Sequence, residues 1–89
     1  MSNEKNLSII FSDHAKDSMR KRGAKADEVE KVIRHAEWTE AKKDRFEAKL
    51  DFPYNQEWNR KHYLTKQINP VFALENQGIV VITVFVFYF

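Results

Sequence analysis

The chain has 89 residues, a net charge of +2, three histidines and no cysteine. This length predicts a single domain over residues 1–89 with one modest hydrophobic core. The lack of cysteine excludes disulfides, thiolate zinc sites and a catalytic thiol. The polar segment Met1–Asn6 has no apolar run behind it that is long enough for a signal peptide, so we expect a cytoplasmic protein without a membrane partner.

Positive charges gather in three stretches although the net charge is small. These stretches are residues 16–25, 42–45 and 60–66. They are either ordinary solvated surface or parts of one anion-binding face for nucleic acid, and the linear sequence leaves both interpretations open.

The sequence predicts a first helix from about Asp13 to Arg22, after a short apolar run over residues 7–11 that is an edge strand or a packing segment. Ser12 or Asp13 suits the N-cap, and Gly23 suits a left-handed C-cap. Helical periodicity places Ala15 and Met19 on the core side, because they lie four residues apart.

A polar row formed by His14, Ser18 and Arg22 borders that buried face.

The second helix is predicted from the spacing of its apolar residues, which recur at one face of a 3.6-residue period. These residues are Val29, Val32, Ile33 and Ala36. We interpret the charges of this helix as solvated scaffold.

The period changes to two in the second half, where Arg45–Phe52 alternates and predicts a half-buried strand. A turn-rich connection follows over Pro53–Asn59, whose Tyr54 and Trp58 either pin it to the core edge or face a ligand. The next strand is His62–Ile68. Pro70 should break or bend it before a further strand over residues 71–74.

The last eleven residues, 79–89, are apolar or aromatic except for Thr83 and follow a predicted Asn76–Gly78 turn. They predict an inner strand that must be covered on both faces. We expect Phe85, Phe87 and Phe89 to be buried by the N-terminal segment and the Tyr54/Trp58 connection, or by another chain. The predicted fold is α+β, with two N-terminal helices on one face of a roughly four-stranded antiparallel sheet.

No nucleotide-binding loop, nucleophile elbow or metal-ligand spacing is present, so no cofactor or metal is expected. Metal-free acid/base chemistry is what remains, and RNA cleavage through the 2′-hydroxyl suits it. In this hypothesis His14 is the base or acid, and Arg22 and Lys66 stabilise the phosphate charge. The alternatives are a packing or capping role for His14, carbonyl binding for Arg22 and a snorkelling role for Lys66.

The stretch Phe11–Gly23 resembles the opening of a small family of bacterial proteins of unassigned function. The family pattern is Phe-Ser-x-His-Ala, a methionine on the next turn, then Arg-Gly and a second helix. The resemblance continues through Val29–Ile33 and ends in Val80–Val84. Two departures are Ser18, where the family commonly has arginine, and Ala24, where it has a larger aliphatic residue.

This family is similar in layout to the RelE/BrnT-like toxins, the helix–helix–sheet ribonucleases of the barnase–EndoU–colicin–RelE group. The similarity implies metal-free RNA cleavage and neutralisation by an antitoxin, with His14 and Arg22 carried over as the marked polar positions.

The leading hypothesis is therefore a RelE/BrnT-like metal-independent ribonuclease toxin of a toxin–antitoxin pair. The alternative is a non-catalytic nucleic-acid- or protein-binding domain. RNA is expected along the wet face of the sheet, where Lys66 would also touch it, and the partners to test are RNA, an antitoxin and a second copy of the chain. The predicted RNA-binding residues are Arg20, Arg45, Lys49 and His62.

Overall fold

The computed structural model describes residues 4–76 and 78–89, so Met1–Asn3 of the polar N-terminal segment and Gln77 of the predicted turn lie outside it. Two helices cover one face of a mixed six-stranded sheet. The elements in chain order are a short 3-10 helix Glu4–Asn6, β1 Ile9–Phe11, α1 Asp13–Arg22, α2 Ala26–His35, β2 Thr39–Glu40, β3 Arg45–Glu47, β4 Leu50–Trp58, β5 Lys61–Glu75 and β6 Gly78–Tyr88.

The α+β class is confirmed, and β6 is an inner strand over residues 79–81, where β1 pairs with it, while the number and order of the strands differ from the prediction. The order is β1-β6-β5-β3-β2, and β4 pairs with β5 beyond the end of β3. The apolar run before α1 forms β1, which lies parallel to β6 with Ile9 opposite Ile79. The sheet is therefore mixed rather than purely antiparallel.

Both helices form where their sequence patterns predict them. The Ser12 hydroxyl accepts a hydrogen bond from the Ala15 amide at 3.0 Å, and Gly23 ends α1 with a φ of 84°. Ala15 and Met19 are buried. The predicted apolar face of α2 is also buried, and it consists of Val29, Val32, Ile33 and Ala36.

The predicted boundaries of the middle strands are wrong. The alternating segment divides into β3 and β4 at Ala48–Lys49, and β4 continues through the expected Pro53–Asn59 connection. This happens because β4 and β5 form a long hairpin, with Pro53 opposite Thr65 and a tight turn at Asn59–Arg60, where φ is 52° and 70°.

Pro70 does not break the sheet as expected, and β5 runs unbroken from Lys61 to Glu75. On its β3/β4 side, β5 pairs with β4 up to Ile68 and with β3 from Val71 onward. Pro70 therefore lies opposite the gap between two partner strands, where its missing N–H removes no ladder hydrogen bond. Its carbonyl accepts from the Ala48 amide at 3.4 Å.

A β-bulge in β6 decides which residues of that strand face the helices. Val71 lies opposite Thr83 but Phe72 lies opposite Val81, so Ile82 is an extra residue in β6. As a result Val81 and Val84 are both fully buried although three positions separate them. One extra residue reverses the side-chain alternation for the rest of the strand.

The expected burial of Phe85, Phe87 and Phe89 by the N-terminal segment and the Tyr54/Trp58 connection is consequently wrong, and their burial by another chain stays a prediction. Their side chains lie on the face of the sheet opposite the helices, here called the outer face, and are 40%, 49% and 57% exposed. The N-terminal segment packs elsewhere, since Arg34 of α2 donates to the Lys5 and Leu7 carbonyls at 2.6 and 3.1 Å.

Replacing Gly23 by alanine should destabilise the protein. A Cβ atom there would lie 2.7 Å from the Tyr88 hydroxyl and 2.9 Å from the Trp58 ring, at a positive φ. We expect the free energy of unfolding, measured by urea denaturation, to fall by about 2–3 kcal/mol.

Gly78→Ala is the matched control, because its Cβ would meet Ser8 at an ordinary 3.5 Å. If both variants lose the same free energy of unfolding, the close contact of Gly23 with Tyr88 and Trp58 is contradicted.

Candidate functional site

The polar row on α1 closes the open edge of β6. The amide of Val84 donates to the Ser18 hydroxyl at 3.2 Å, and Arg22 donates to the Val84 carbonyl at 2.8 Å. The Arg22 guanidinium also lies 5.1 Å from the centroid of the Phe85 ring. Ser18 and Arg22 therefore satisfy strand backbone groups that β1 does not reach.

His14 is exposed at the start of α1, apart from the other two proposed catalytic residues. Eight helical positions separate it from Arg22, roughly 12 Å along the helix axis. Arg20, a predicted RNA-binding residue, forms an exposed ion pair with Asp17. A hydrogen bond from Lys21 is the main cause of a lowered Asp17 pKa, and the charges of Lys21, Arg20 and His14 lower it further.

Lys66 lies on the helix side of the sheet, so its expected place on the wet face is wrong. Its side chain is 6% exposed, and its ammonium lies 3.0 and 3.2 Å from the two carboxylate oxygens of Glu28 on α2. The same carboxylate accepts from the Lys25 amide at 2.9 Å at the start of α2. Glu28 thus caps the helix and neutralises a buried lysine.

An aromatic cluster of four rings adjoins this ion pair, with the Tyr54 centroid 5.7 Å from the Lys66 ammonium and Tyr88 at the centre of the cluster. The Tyr88 ring stacks on Trp58 at a centroid distance of 4.9 Å and lies 5.2 Å from Tyr54 and 5.7 Å from Tyr63. The Tyr88 hydroxyl donates to the Arg22 carbonyl at 2.7 Å.

Burial of Tyr88, with smaller contributions from Tyr54 and Glu28, raises the pKa of its phenol to about 12. Tyr88 therefore keeps its proton at neutral pH and serves as a hydrogen-bond donor. Trp58 lies against Gly23 at the end of α1, and the Tyr54 ring lies over the Lys66 ammonium, contacts that fit the first of the two roles considered for these residues.

The outer face presents an aromatic stripe, defined here as Phe85, Phe87 and Phe89. The neighbouring strand β5 places polar side chains directly beside it: Asn69 lies opposite Phe85 and Gln67 opposite Phe87. The Gln67 amide donates to Asp51 at 2.8 Å. Asn69 Oδ1 is buried and has no hydrogen-bond partner among the described residues. The outer face therefore combines accessible ring surfaces with the side-chain carbonyl of Gln67.

The remaining predicted RNA-binding residues are exposed but dispersed. Arg45 lies opposite Ala73, and because its neighbour Phe46 faces the core, Arg45 projects to the outer face. Lys49 lines an open cleft of about 430 Å³ that also contains Glu37 and Glu47. His62 lies near the hairpin turn, opposite Glu57.

Among residues 4–76 and 78–89, no group of three or more histidine and carboxylate side chains is placed to hold a metal ion. None of the helices in the described part of the chain is long and apolar enough to cross a bilayer.

Sequence reasoning missed Glu28, which had been interpreted as scaffold, and the outward direction of the aromatic stripe. Lys66 was a sequence signal for the role of Glu28, because a buried amine among apolar strand residues needs a counter-charge. The second depends on the bulge at Ile82, for which the polar Thr83 within the apolar strand was the only sequence cue.

Removing the negative charge of Glu28 should lower the free energy of unfolding more than removing the negative charge of an exposed neighbour. Glu28→Gln retains a helix-capping acceptor but leaves the Lys66 ammonium buried without a counter-charge. We expect a loss of about 2–3 kcal/mol in the free energy of unfolding. Adding Lys66→Met should recover most of it, since no buried charge then remains.

Asp27→Asn, at an exposed position of the same helix turn, serves as the control. Urea denaturation measures all of these variants. A Glu28→Gln loss no larger than that of Asp27→Asn would show that the ion pair is energetically unimportant.

Comparison with known proteins supplies a family. No curated protein and no solved structure is detectably similar to the chain. A family model described as a domain of unknown function, DUF4258, matches residues 11–86, a span that includes both helices and nearly all of the sheet. The chain therefore belongs to the DUF4258 family of domains of unknown function.

Proposed function

We propose that the protein binds single-stranded RNA on the outer face of its sheet. The observation that carries this proposal is the exposure of three phenylalanines in alternate positions of one strand, 40%, 49% and 57%. Folded proteins rarely leave several large rings exposed together unless the patch has a partner. Unpaired RNA bases are a suitable partner because they stack on aromatic side chains.

The spacing of the stripe supports this ligand. Side chains two residues apart on a strand lie roughly 6.6 Å from each other, a separation that an unstacked, extended RNA strand can match. Beside the rings, the Gln67 side-chain carbonyl supplies an acceptor for a base edge. Arg22 at one end of the stripe supplies a positive charge for a phosphate.

The electrostatic contribution should be modest. The net charge is only +2, and Asp51 lies next to Gln67 on the outer face. Lys66, Arg20 and Lys49 all have carboxylates nearby. Stacking therefore supplies most of the affinity in this proposal, and the affinity should fall less steeply with salt than it does for a strongly basic protein.

Phe87→Ala should weaken binding of a short labelled single-stranded RNA about tenfold, measured by fluorescence anisotropy. The estimate follows because base–aromatic stacking contributes about 1–3 kcal/mol per base, and about 1.4 kcal/mol changes the dissociation constant tenfold.

Ile10→Ala is the matched control for lost apolar surface. Ile10 is 59% exposed and lies opposite Val80 on the same sheet, roughly 23 Å along β6 from Phe87. The proposal fails if the wild type does not bind, or if the two variants bind equally well.

Metal-independent RNA cleavage by a RelE/BrnT-like toxin is the second candidate function. The observation that favours it is that two of the proposed catalytic residues adjoin Tyr88, although the Arg22 guanidinium itself binds the Val84 carbonyl and the Lys66 ammonium binds Glu28. Lys66 is its register partner across the strands, and the Arg22 carbonyl accepts its hydroxyl. In this proposal an antitoxin protein would cover the surface around Tyr88. His14 would have to act from the other end of α1.

Incubation of the protein with RNA and a chelator tests this second function. A ribonuclease of this kind should cleave without metal, and a His14→Ala, Arg22→Ala double variant should lose at least about a hundredfold in rate, the lower end of the range for general acid–base catalysis. The control is Lys16→Ala, an exposed position on the same helix. RNA left intact by the wild type would exclude cleavage while leaving the binding proposal standing.

A further inference from the structure

The open edge of β6 has unpaired backbone groups in a short, defined segment. The amide of Phe89 donates to the Thr65 carbonyl at 3.0 Å, and the amide of Thr65 donates to the Phe89 carbonyl at 2.7 Å. Because hydrogen-bonding direction alternates along an antiparallel strand, the backbone groups of Val86 and Tyr88 point away from β5.

Within the described residues, nothing pairs with these outward groups. β1 reaches only residues 79–81 of β6, and the side chains of Ser18 and Arg22 end their coverage at Val84. Val86 and Tyr88 therefore expose N–H and C=O groups on a strand edge that carries the aromatic stripe on its outer face. Such an edge is a template for a further strand.

We propose that β6 pairs edge to edge with β6 of a second copy, in antiparallel fashion about a two-fold axis at Phe87. In this register Val86 lies opposite Tyr88 of the partner subunit, and the same contact repeats by symmetry. Every free backbone group at Val86 and Tyr88 gains a partner. An axis at Val86 instead would direct Tyr88 toward the Val84 groups that Ser18 and Arg22 already occupy.

The side chains support the same register. Phe87 lies opposite its own symmetry copy, and Phe85 lies opposite Phe89 of the partner subunit, so the two stripes meet along their whole length. A single surface that is complementary to itself is what a two-fold dimer requires. This argument selects a second copy over an unrelated extended peptide, which would need no such symmetry.

The available area sets the strength of the dimer. With roughly 200 Å² for a phenylalanine side chain, the exposed fractions of the three rings correspond to roughly 290 Å² of aromatic surface on each copy. Two copies bring together roughly 600 Å² in addition to the paired backbone. Stable interfaces bury about 1,200 Å² or more in total, so we expect a reversible dimer that depends on protein concentration.

Sedimentation velocity of the wild-type protein without RNA tests the association, and the apparent mass should rise from monomer toward dimer with concentration. Single cysteines test the register, since the chain has no cysteine of its own. At a pair that is not hydrogen-bonded, the two Cα atoms lie about 4.5 Å apart, within the range that a disulfide bridges.

Phe87→Cys should therefore form a disulfide-linked dimer under mild oxidation. Phe85→Cys and Phe89→Cys should each remain largely monomeric alone but cross-link when mixed with each other. Equal cross-linking of all three single variants, or a wild type that stays monomeric at every concentration, would overturn the proposal. Because no RNA is present, either result is independent of the proposed RNA binding.

Discussion

The extra residue at Ile82 is the constraint on which the surface of this protein depends. Before the bulge, Ile79 and Val81 face the helices, and after it Val84 and Val86 do so, with Tyr88 following them. Without that residue the three phenylalanines would point into the core and the smaller valines outward. The bulge therefore places the aromatic rings on the outer face instead of in the core. Both the proposed RNA binding and the proposed pairing of two copies depend on this placement.

Helix α1 connects the two sides of the strand. Its apolar residues pack in the core, while its polar row hydrogen-bonds the strand edge and Arg22 extends to the Phe85 ring on the outer face. The same helix end accepts the Tyr88 hydroxyl and packs closely against Trp58. Two members of the polar row, Ser18 and Arg22, therefore hold β6 in place. The third member, His14, is exposed.

Local patterns predicted the parts of the fold that local physics decides. The Ser12 cap, the Gly23 cap and the buried face of α2 all follow from contacts within a few residues of sequence. Pro70 and the end of β3 were misjudged because their outcome depends on which strand lies opposite. For the same reason the site was only partly predicted: Arg22 was identified, but its partner Val84 lies 62 positions away. A bulge has no dependable sequence signature, so the outward stripe required the structure.

The parallel pairing of β1 with β6 has a consequence for synthesis. The first strand and helix α1 both pack against the last strand, and α2 packs over the neighbouring β5. During translation, the apolar face of α1 has no sheet to cover until β6 leaves the ribosome. Contacts between segments this distant in sequence slow folding and prolong the exposure of apolar surface. The apolar face of α1 therefore stays uncovered until β6 has been synthesised.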